Sequence, residues 1–358
     1  MIIKINKDDE KEINKYLQTK EDNMSAVELI NILLDEENNN LTTNDIKGNY
    51  FQSLIDNANI DIDKQYFEQM NQKYHFDNIK ILDNSKYSNN PYIKNIKFNT
   101  SKNKQWILTN LFYNPYQGFV YDEIDVDQSY FKETVKIGYF TSPFYYPCAI
   151  EKDKIWMSVI PHEINTMKKP IENAFGNVLV VGLGLGYFAY MISNKEEVDS
   201  ITIIEKDNKI ISLFEKEILS QFKNKNKIKI INDDAFEYMK NMPSFDYAFI
   251  DIWHNVKDGL SLYLMSKYYE NFYPNTRFDY WIETSLIAML RRQMLTIFEE
   301  QYYENFKDKD YQIAQNNNDK IINRIYKYTK NHVINNVDDF RKLLEDDYLK
   351  QMAKELYL

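Results

Sequence analysis

Short, mainly apolar runs recur in the second half of the chain, and stretches with helical periodicity separate most of them. The runs cover residues 178–181, 200–204, 227–231, 247–250 and 278–282. Such runs predict the strands of a parallel sheet that helices cover on both faces. An amphipathic helix over about 285–300 and charged helical material over 337–356 follow the last run.

The first half of the chain carries helical and then β-prone patterns. Residues from about 11 to 80 have helical periodicity, with one apolar cluster between Val27 and Leu34. Short β-prone runs lie between Trp106 and Trp156, and they predict a small antiparallel sheet. A helical part and a small sheet are therefore expected to precede the parallel sheet.

Three alternating glycines, Gly182, Gly184 and Gly186, directly follow the apolar run at 178–181. Glycine allows a sharp turn and lets a ligand approach where a Cβ would collide, and the first N–H groups of a following helix have no partner within that helix. The pattern is typical of a loop that binds a nucleotide-like cofactor. A dinucleotide fingerprint would place its third glycine at position 187. This chain has Tyr187 there, which argues against a dehydrogenase.

These patterns together predict an α/β fold with a Rossmann-like, doubly wound, mostly parallel sheet, preceded by a helical segment and a small antiparallel β domain. With 358 residues, the chain is long enough for two hydrophobic cores. We divide it into a helical N-terminal region (1–105), a small β domain (106–160), a Rossmann-like domain (161–305) and a helical C-terminal extension (306–358). Ligands are expected at the carboxyl ends of the parallel strands.

Acidic residues end three of the predicted strands. Glu205 ends the second strand, where a carboxylate can accept hydrogen bonds from both ribose hydroxyls. Asp233 and Asp234 end the third; because they are adjacent, one at most faces a nucleoside, and we favour Asp234 as the acceptor for an adenine amino group. Asp251 ends the fourth strand, beside the expected position of the cofactor's reactive end.

Composition and charge argue against several classes of protein. No apolar run approaches the length that a bilayer requires, and the first ten residues lack an export signal, so we expect a cytoplasmic protein with no membrane partner. The formal charge of −10 argues against a nucleic-acid partner, since phosphate binding depends on concentrated Lys and Arg. The assembly state stays open, and a homodimer is one option.

No metal site is predicted from the histidines and the cysteine. The four histidines, at positions 75, 162, 254 and 332, form no i, i+4 pair. Cys148 is the single cysteine, so it can form neither an internal disulfide nor a thiolate cluster.

At these motifs the chain resembles the class I S-adenosylmethionine-dependent methyltransferases over roughly residues 175–300. The resemblance rests on Val-Val-Gly-Leu-Gly-Leu-Gly, Ile-Ile-Glu-Lys-Asp, Asn-Asp-Asp-Ala-Phe and Phe-Asp-Tyr-Ala-Phe-Ile-Asp. It implies that the glycine loop passes under the methionine part of the cofactor and that Glu205 holds the ribose. It further implies that Asp234 and Ala235 meet the adenine and that the fourth-strand acid of the family falls on Asp251.

Within that superfamily the order of segments looks most like the spermidine-synthase branch, in which a small β domain precedes the nucleoside domain. Lys154-Ile-Trp-Met-Ser-Val and then Pro161-His-Glu-Ile-Asn lead into the glycines in the same order. Two positions depart from that branch. Tyr187 stands where an acidic residue is typical, and Asp251-Ile-Trp-His replaces an Asp-Ser- or Asp-Thr-rich loop.

The resemblance and the acids lead us to expect a methyltransferase with S-adenosyl-L-methionine as cofactor and a small-molecule acceptor. Asp251 would orient the acceptor or take its proton, with His254 as the second candidate. An aminopropyltransferase is the alternative, which an acidic channel beside Asp251 would favour. A third hypothesis is that the chain is a non-catalytic binding protein.

Each of these residues also has a purely structural interpretation. Asp251 could cap the turn after its strand, and His254 could be an ordinary loop residue exposed to solvent. Trp156 and Trp253 could line an acceptor pocket or simply pack. Glu283, at the end of a further predicted strand, is a reserve candidate.

Overall fold

The computed structural model describes residues 1–35, 38–46, 49–60, 63–74, 79–103, 105–303 and 316–356. Residues 306–315 of the predicted C-terminal extension, and His75, lie outside the described residues.

Strands and helices alternate along most of the chain. The strands are β1 (Ile2–Ile3), β2 (Lys80–Ile81), β3 (Ser101–Asn103), β4 (Trp106–Tyr113), β5 (Gly118–Val120), β6 (Asp125–Val126), β7 (Glu133–Thr134), β8 (Ile137–Tyr139), β9 (Phe144–Glu151), β10 (Lys154–Ser158), β11 (Gly176–Val181), β12 (Val198–Glu205), β13 (Ile228–Asn232), β14 (Tyr247–Ile250), β15 (Arg277–Tyr280) and β16 (Val333–Ile334). The helices are α1 (Lys7–Leu33), α2 (Tyr50–Asn57), α3 (Lys64–Tyr74), α4 (Asn84–Ser88), α5 (Pro91–Asn95), α6 (Pro161–Thr166), α7 (Lys168–Asn173), α8 (Tyr187–Ser193), α9 (Asn208–Glu217), α10 (Ala235–Met239), α11 (Val256–Glu270), α12 (Glu283–Tyr302), α13 (Asn317–Thr329), α14 (Val337–Lys342) and α15 (Asp346–Ala353).

A five-stranded sheet with all neighbours parallel forms the centre of the second half, in the order β13-β12-β11-β14-β15. Its central strands are buried on both faces, which explains why their sequences are mainly apolar. The predicted α/β class is confirmed. Because β11 lies between β12 and β14, the chain leaves β11 at the point where the strand order reverses, which is where open parallel sheets bind ligands.

Local chain geometry shifts two predicted boundaries. The sequence predicts one short helix over roughly 162–173 after Pro161, but the structure has two short helices there, α6 and α7, that meet at Met167. Pro170 contributes to this break because it lacks the N–H that would bond to Thr166 in a continuous helix. The fifth strand ends at Tyr280, two residues early, because Ile282 adopts a left-handed conformation (φ 48°, ψ 39°) and α12 begins at Glu283.

A four-stranded antiparallel sheet, in the order β10-β9-β4-β3, stands before the parallel sheet in the chain. Its last strand, β10, is irregular between Ile155 and Met157, so Trp156 lies at a bulge. Helix α1 packs on α12 and α14, and β1 pairs with β16, which ties the two ends of the described chain together. None of the described helices has the length and apolar character needed to cross a membrane.

Candidate active site

A cavity of about 940 Å³ opens at the carboxyl ends of the parallel strands. Its walls come from the glycine loop, the ends of β12 to β14, helix α6 and strand β10. All four tryptophans of the chain line it: Trp106, Trp156, Trp253 and Trp281. Among the described residues, ten lining side chains are carboxylic acids and only Lys206 is a lysine or arginine. The cavity therefore combines flat apolar surfaces with a strong excess of negative charge.

The three glycines have different structural roles. Gly182 has φ +100°, and a Cβ there would lie 1.9 Å from the carbonyl oxygen of Asp251. A Cβ on Gly186 would lie 2.3 Å from the Phe214 ring. Gly184 also has positive φ, +52°, but a Cβ there would meet no described atom within 4 Å. Packing requires glycine at Gly182 and Gly186, whereas Gly184 borders open space in the cavity.

Glu205 links the end of β12 to the glycine loop. Its Oε2 accepts a hydrogen bond from the Leu183 N–H at 3.2 Å, and its Oε1 accepts one from the Asp207 N–H at 2.8 Å. Glu205 lines the cavity, and its role in holding a ribose stays a prediction.

Asp207 joins the parallel sheet to the antiparallel sheet at the same end of the cavity. Its carboxylate accepts from Trp106 Nε1 at 2.9 Å and caps helix α9 through the Lys209 N–H. Burial acts to raise the pKa of Asp207, but the hydrogen bonds from Trp106 and Lys209 outweigh burial and hold the pKa below its usual value. Asp207 therefore contributes a fixed negative charge to the cavity wall.

Asp234 and Ala235 begin helix α10 beside the cavity. Asp234 Oδ1 accepts from the backbone N–H groups of Phe236 and Glu237, at 2.9 and 3.2 Å. No described residue donates to Asp234 Oδ2, so that oxygen stays available to a ligand. Asp233 also lines the cavity and uses one oxygen to accept from the Asp234 N–H, so the choice of Asp234 as the residue that faces a nucleoside stays a prediction.

The side chains of Asp251 and Glu163 both line the cavity, and no described residue donates a hydrogen bond to either carboxyl group. Both side chains are half-buried, and the surface that they keep opens into the cavity. Burial raises the pKa of Asp251 to about 7. Burial, and then repulsion from Asp251, raises the pKa of Glu163 well above its usual value. A cation or a proton between these groups would relieve both effects.

Sequence reasoning missed Glu163 as a site residue. A glutamate in the first turn of a helix normally serves to complement the helix dipole. Glu163 lies at that position in α6, so its sequence context contains no signal of a site. Only the folded structure places it in the wall of the same cavity as Asp251.

Two further side chains on the cavity wall are held neutral. Burial lowers the pKa of His162 to about 4 against an opposing effect of Asp122, and its ring packs edge-on to Trp281 with centroids 6.0 Å apart. Burial, together with the charge of Glu163, raises the pKa of Tyr187 to about 12, although a hydrogen bond from Asn90 Nδ2 to its hydroxyl oxygen (3.1 Å) acts in the opposite direction.

The second predicted catalytic residue, His254, lies at the mouth of the cavity. Its side chain is exposed, and its ring stacks on Trp156. Trp253 is buried against Gly259 and Tyr263 and also lines the cavity.

The reserve acid, Glu283, belongs to a different part of the structure. It accepts from the Tyr263 hydroxyl at 2.9 Å and pairs with Lys350 at 3.1 Å, outside the cavity wall. We therefore leave Glu283 out of the candidate site. The described residues contain no group of His, Cys, Asp and Glu side chains that could hold a metal ion.

A known domain family matches part of the chain that lines this cavity. Residues 160–274 match the family model of the spermine/spermidine synthase domain. Two solved structures that resemble the chain are spermidine synthase from Thermotoga maritima (15% identity, 41% of this chain and 59% of that one, TM-score 0.28) and a spermidine synthase in complex with the transition-state analogue AdoDATO (14% identity, 41% and 58%, TM-score 0.28). This chain thus spans less than two thirds of either structure. A search of curated proteins found no match.

The family match corrects two expectations from the sequence. The chain was expected to be a methyltransferase, and this is wrong because the matched family consists of spermine and spermidine synthases. The expectation of S-adenosyl-L-methionine as cofactor is wrong as well, because the matched family is that of spermine and spermidine synthases, which use the decarboxylated form as a substrate. Residues 160–274 therefore resemble a spermine/spermidine synthase domain on a class I methyltransferase-like fold.

Proposed function

We propose that this protein transfers an aminopropyl group from decarboxylated S-adenosylmethionine to a small-molecule amine. The observation that carries the proposal is the pair of carboxyl groups of Glu163 and Asp251, which face the cavity with no described hydrogen-bond donor. Buried carboxylates without a cation are costly. Two positively charged substrates would supply the missing charge. The family match at residues 160–274 supports the same reaction.

The donor's nucleoside is assigned to the end of the cavity formed by β12, β13 and the glycine loop. Glu205 would accept from the ribose hydroxyls, and Asp234 Oδ2 from the adenine amino group. Ala235 would offer its backbone N–H to the adenine ring, because the first N–H groups of a helix have no partner within the helix. The open side of Gly184 leaves room for the sulfonium end of the donor.

The reaction is a displacement at the donor's methylene carbon next to sulfur. The lone pair of the acceptor nitrogen forms the new C–N bond, the C–S bond breaks, and its electron pair stays on sulfur as the neutral thioether methylthioadenosine. The enzyme's main contribution is to align the two substrates and exclude water. The acceptor nitrogen must be neutral when it attacks, so one proton of its ammonium form has to leave.

Asp251 is placed to take that proton. Its carboxyl group lies at the end of β14 in the cavity wall, and its pKa of about 7 matches what a general base needs near neutral pH. Burial raises the pKa of Asp251, and the charge of Asp251 in turn adds to the burial that raises the pKa of Glu163. His254 at the cavity mouth remains a second candidate for relaying the proton to solvent.

The test is a donor-by-acceptor assay with the full-length protein. Decarboxylated S-adenosylmethionine is incubated with a panel of mono- and diamines, and methylthioadenosine release is measured by chromatography together with the mass of the aminopropylated amine. We expect at least one amine to give both products, and we expect Asp251→Asn to slow their formation by about 10²-fold or more. The proposal would be overturned if none of the amines in the panel led to methylthioadenosine formation. Methyl transfer from S-adenosylmethionine to an amine would overturn it as well.

A further inference from the structure

Helix α5 packs against the glycine loop from outside the cavity. Tyr92, in the first turn of α5, is fully buried, and its hydroxyl donates a hydrogen bond to the carbonyl oxygen of Leu185. The Tyr92 ring packs edge-on to the rings of Tyr187 and Tyr190, with centroids 5.6 and 5.3 Å apart. Tyr92 does not belong to the cavity wall. It therefore contacts the loop without access to the ligand space.

The same short helix holds both tyrosines of α8. Asn90 caps α5 by accepting from the Tyr92 N–H at 2.9 Å, and its Nδ2 donates to the Tyr187 hydroxyl oxygen at 3.1 Å. Asn95 Nδ2 donates to the Tyr190 hydroxyl oxygen at 3.0 Å. Residues three apart lie on one face of a helix, so one face of α8 is fixed against α5 together with the loop that leads into it.

Two side chains fix the backbone of the glycine loop. Among the described residues, only Glu205 and Tyr92 form side-chain hydrogen bonds with the backbone of residues 182–186: Glu205 accepts from the Leu183 N–H, and Tyr92 donates to the Leu185 carbonyl oxygen. Gly184 lies between these two fixed points, with φ +52° and open space where a Cβ would be. Because glycine restricts its own backbone so little, the conformation at Gly184 depends on what holds its neighbours.

Helix α5 lies outside the matched family domain, which begins at residue 160. The Tyr92 hydroxyl therefore comes from the N-terminal part of the chain, more than 60 residues before that domain. Burial raises the pKa of Tyr92 well above its usual value, so the hydroxyl keeps its proton and remains a donor to Leu185. The matched domain by itself contains no described side chain that does this.

We infer that Tyr92 is a positioning residue for the nucleoside, because its hydrogen bond to Leu185 holds Gly184 in the conformation that leaves room for the sulfur-bearing end of the ligand. This inference rests on the proposed function, which assigns that end of the donor to the open side of Gly184. Without the bond the loop would sample other conformations. The apparent affinity would then fall in proportion to the fraction of molecules whose loop can bind.

The competing explanation is that Tyr92 is only part of the hydrophobic core. Both explanations predict that Tyr92→Phe destabilises the fold, because the Leu185 carbonyl oxygen then loses its donor in a buried place. They differ in what the folded protein binds. A residue that serves only for packing should not alter the relative affinities for nucleosides with and without the sulfur-bearing group.

The experiment measures calorimetric affinities for methylthioadenosine and adenosine in the full-length wild type, Tyr92→Phe and the control Tyr247→Phe. Adenosine has the same base and ribose but lacks the thioether group. Tyr92→Phe removes the hydroxyl and keeps the ring. Tyr247 is also fully buried, and its hydroxyl donates to the Pro170 carbonyl oxygen at 3.1 Å, but it begins β14 at the end of the sheet away from the cavity. Urea unfolding establishes that each variant is folded under the assay conditions.

Tyr92→Phe should weaken methylthioadenosine binding by about 3- to 10-fold, the range of a single hydrogen bond, and leave adenosine within about twofold. The KM for decarboxylated S-adenosylmethionine should rise by the same factor as methylthioadenosine binding weakens. The kcat should stay within about twofold, because the bound donor itself selects the competent loop. Tyr247→Phe should match the wild type in both affinities.

Asn90→Ala provides a second test if Tyr92→Phe does not fold. It keeps the Tyr92 side chain but removes the cap of α5 and the bond to the Tyr187 hydroxyl, so it should lower the ratio of methylthioadenosine affinity to adenosine affinity in the same direction. The inference is overturned if the folded variant keeps the wild-type ratio, whether both affinities stay the same or both fall by the same factor.

Failure of the proposed function has a different signature. The wild type would then bind neither nucleoside, or it would release no methylthioadenosine from the decarboxylated donor with any amine of the panel. A wild type that binds and reacts as proposed, beside a Tyr92→Phe variant with an unchanged affinity ratio, would overturn the role of Tyr92 alone.

Discussion

Trp156 stacks on His254 with ring centroids 5.4 Å apart and ring planes 13° from parallel. Trp156 belongs to β10 of the antiparallel sheet, and His254 lies in the connection between β14 and α11 of the parallel sheet. The pair thus bridges the two sheets at the mouth of the cavity, although 48% of the Trp156 surface remains exposed.

Breaking this stack should weaken acceptor binding. Aromatic pairs contribute roughly 0.5–1.5 kcal/mol, so Trp156→Ala should raise the KM for the amine about 2- to 10-fold without changing the affinity for methylthioadenosine. The control is Tyr145→Ala, which removes an exposed aromatic side chain from the same sheet. An unchanged KM in Trp156→Ala would show that the stack has no part in substrate binding.

His254→Phe separates stacking from proton transfer. Phenylalanine can stack on Trp156 but cannot carry a proton. If His254 only completes the stack, the variant should keep kcat within about twofold. A loss on the scale of general acid–base catalysis, about 10²-fold or more, would instead support the predicted catalytic role of His254. Steady-state kinetics across pH 6–9 distinguishes the two outcomes.

Asp251→Asn should remove the general base. We expect kcat to fall by about 10²- to 10⁴-fold, while the affinity for methylthioadenosine stays close to that of the wild type. In the wild type, kcat/KM should rise as pH increases through about 7, because Asp251 acts as a base only when it is ionised. A variant that retains this rise would show that another group controls it.

The same substitution should stabilise the protein in the absence of ligands. The folded-state pKa of Asp251 is raised to about 7 from 3.8, so between these values the folded state binds more protons than the unfolded state, and stability falls as pH increases. Removing the charge should therefore raise the free energy of unfolding by on the order of 2 kcal/mol at pH 8. The gain should shrink as pH falls and vanish below about pH 4.

Urea unfolding of the wild type and Asp251→Asn at several pH values measures this difference. His162 acts in the opposite direction between pH 4 and 6.5, because its folded-state pKa is lowered, but it is present in both proteins and cancels in the comparison. A destabilised Asp251→Asn at pH 8 would contradict the expectation.

Gly182 and Gly184 should respond differently to the same substitution. Gly182→Ala forces a Cβ to within 1.9 Å of the Asp251 carbonyl oxygen, and it should lower the free energy of unfolding by roughly 3 kcal/mol or more. Gly184→Ala meets no described atom and carries only the cost of positive φ, about 1 kcal/mol.

Gly184→Ala should nevertheless weaken nucleoside binding, because its methyl group enters the space assigned to the ligand. Urea unfolding of Gly182→Ala and Gly184→Ala measures the two losses of stability, and calorimetry with methylthioadenosine measures nucleoside binding. Normal methylthioadenosine affinity in Gly184→Ala would place the nucleoside elsewhere.

The sequence alone was enough to predict the parallel strands and the acids at their ends. The central strands are mainly apolar because both of their faces are buried, so local composition reports their environment directly. Glu205 is the last residue of β12, and Asp251 directly follows the last residue of β14. The carboxyl ends of strands in a parallel sheet lie at one edge, which is why both residues line the same cavity. The division of the helix at Met167 and the early end of β15 depend on single backbone conformations that periodicity does not encode.

Only the tertiary structure decided which side chains complete the site. Glu163, His162 and Trp281 lie on α6 or beyond β15, far in sequence from Asp251, and nothing in their local pattern distinguishes them from capping or packing residues. The properties that matter, a raised pKa and the lack of a hydrogen-bond donor, arise from desolvation and from the neighbouring charge. Both are set by the packing of distant segments, which is why they follow from the folded chain and not from the order of its residues.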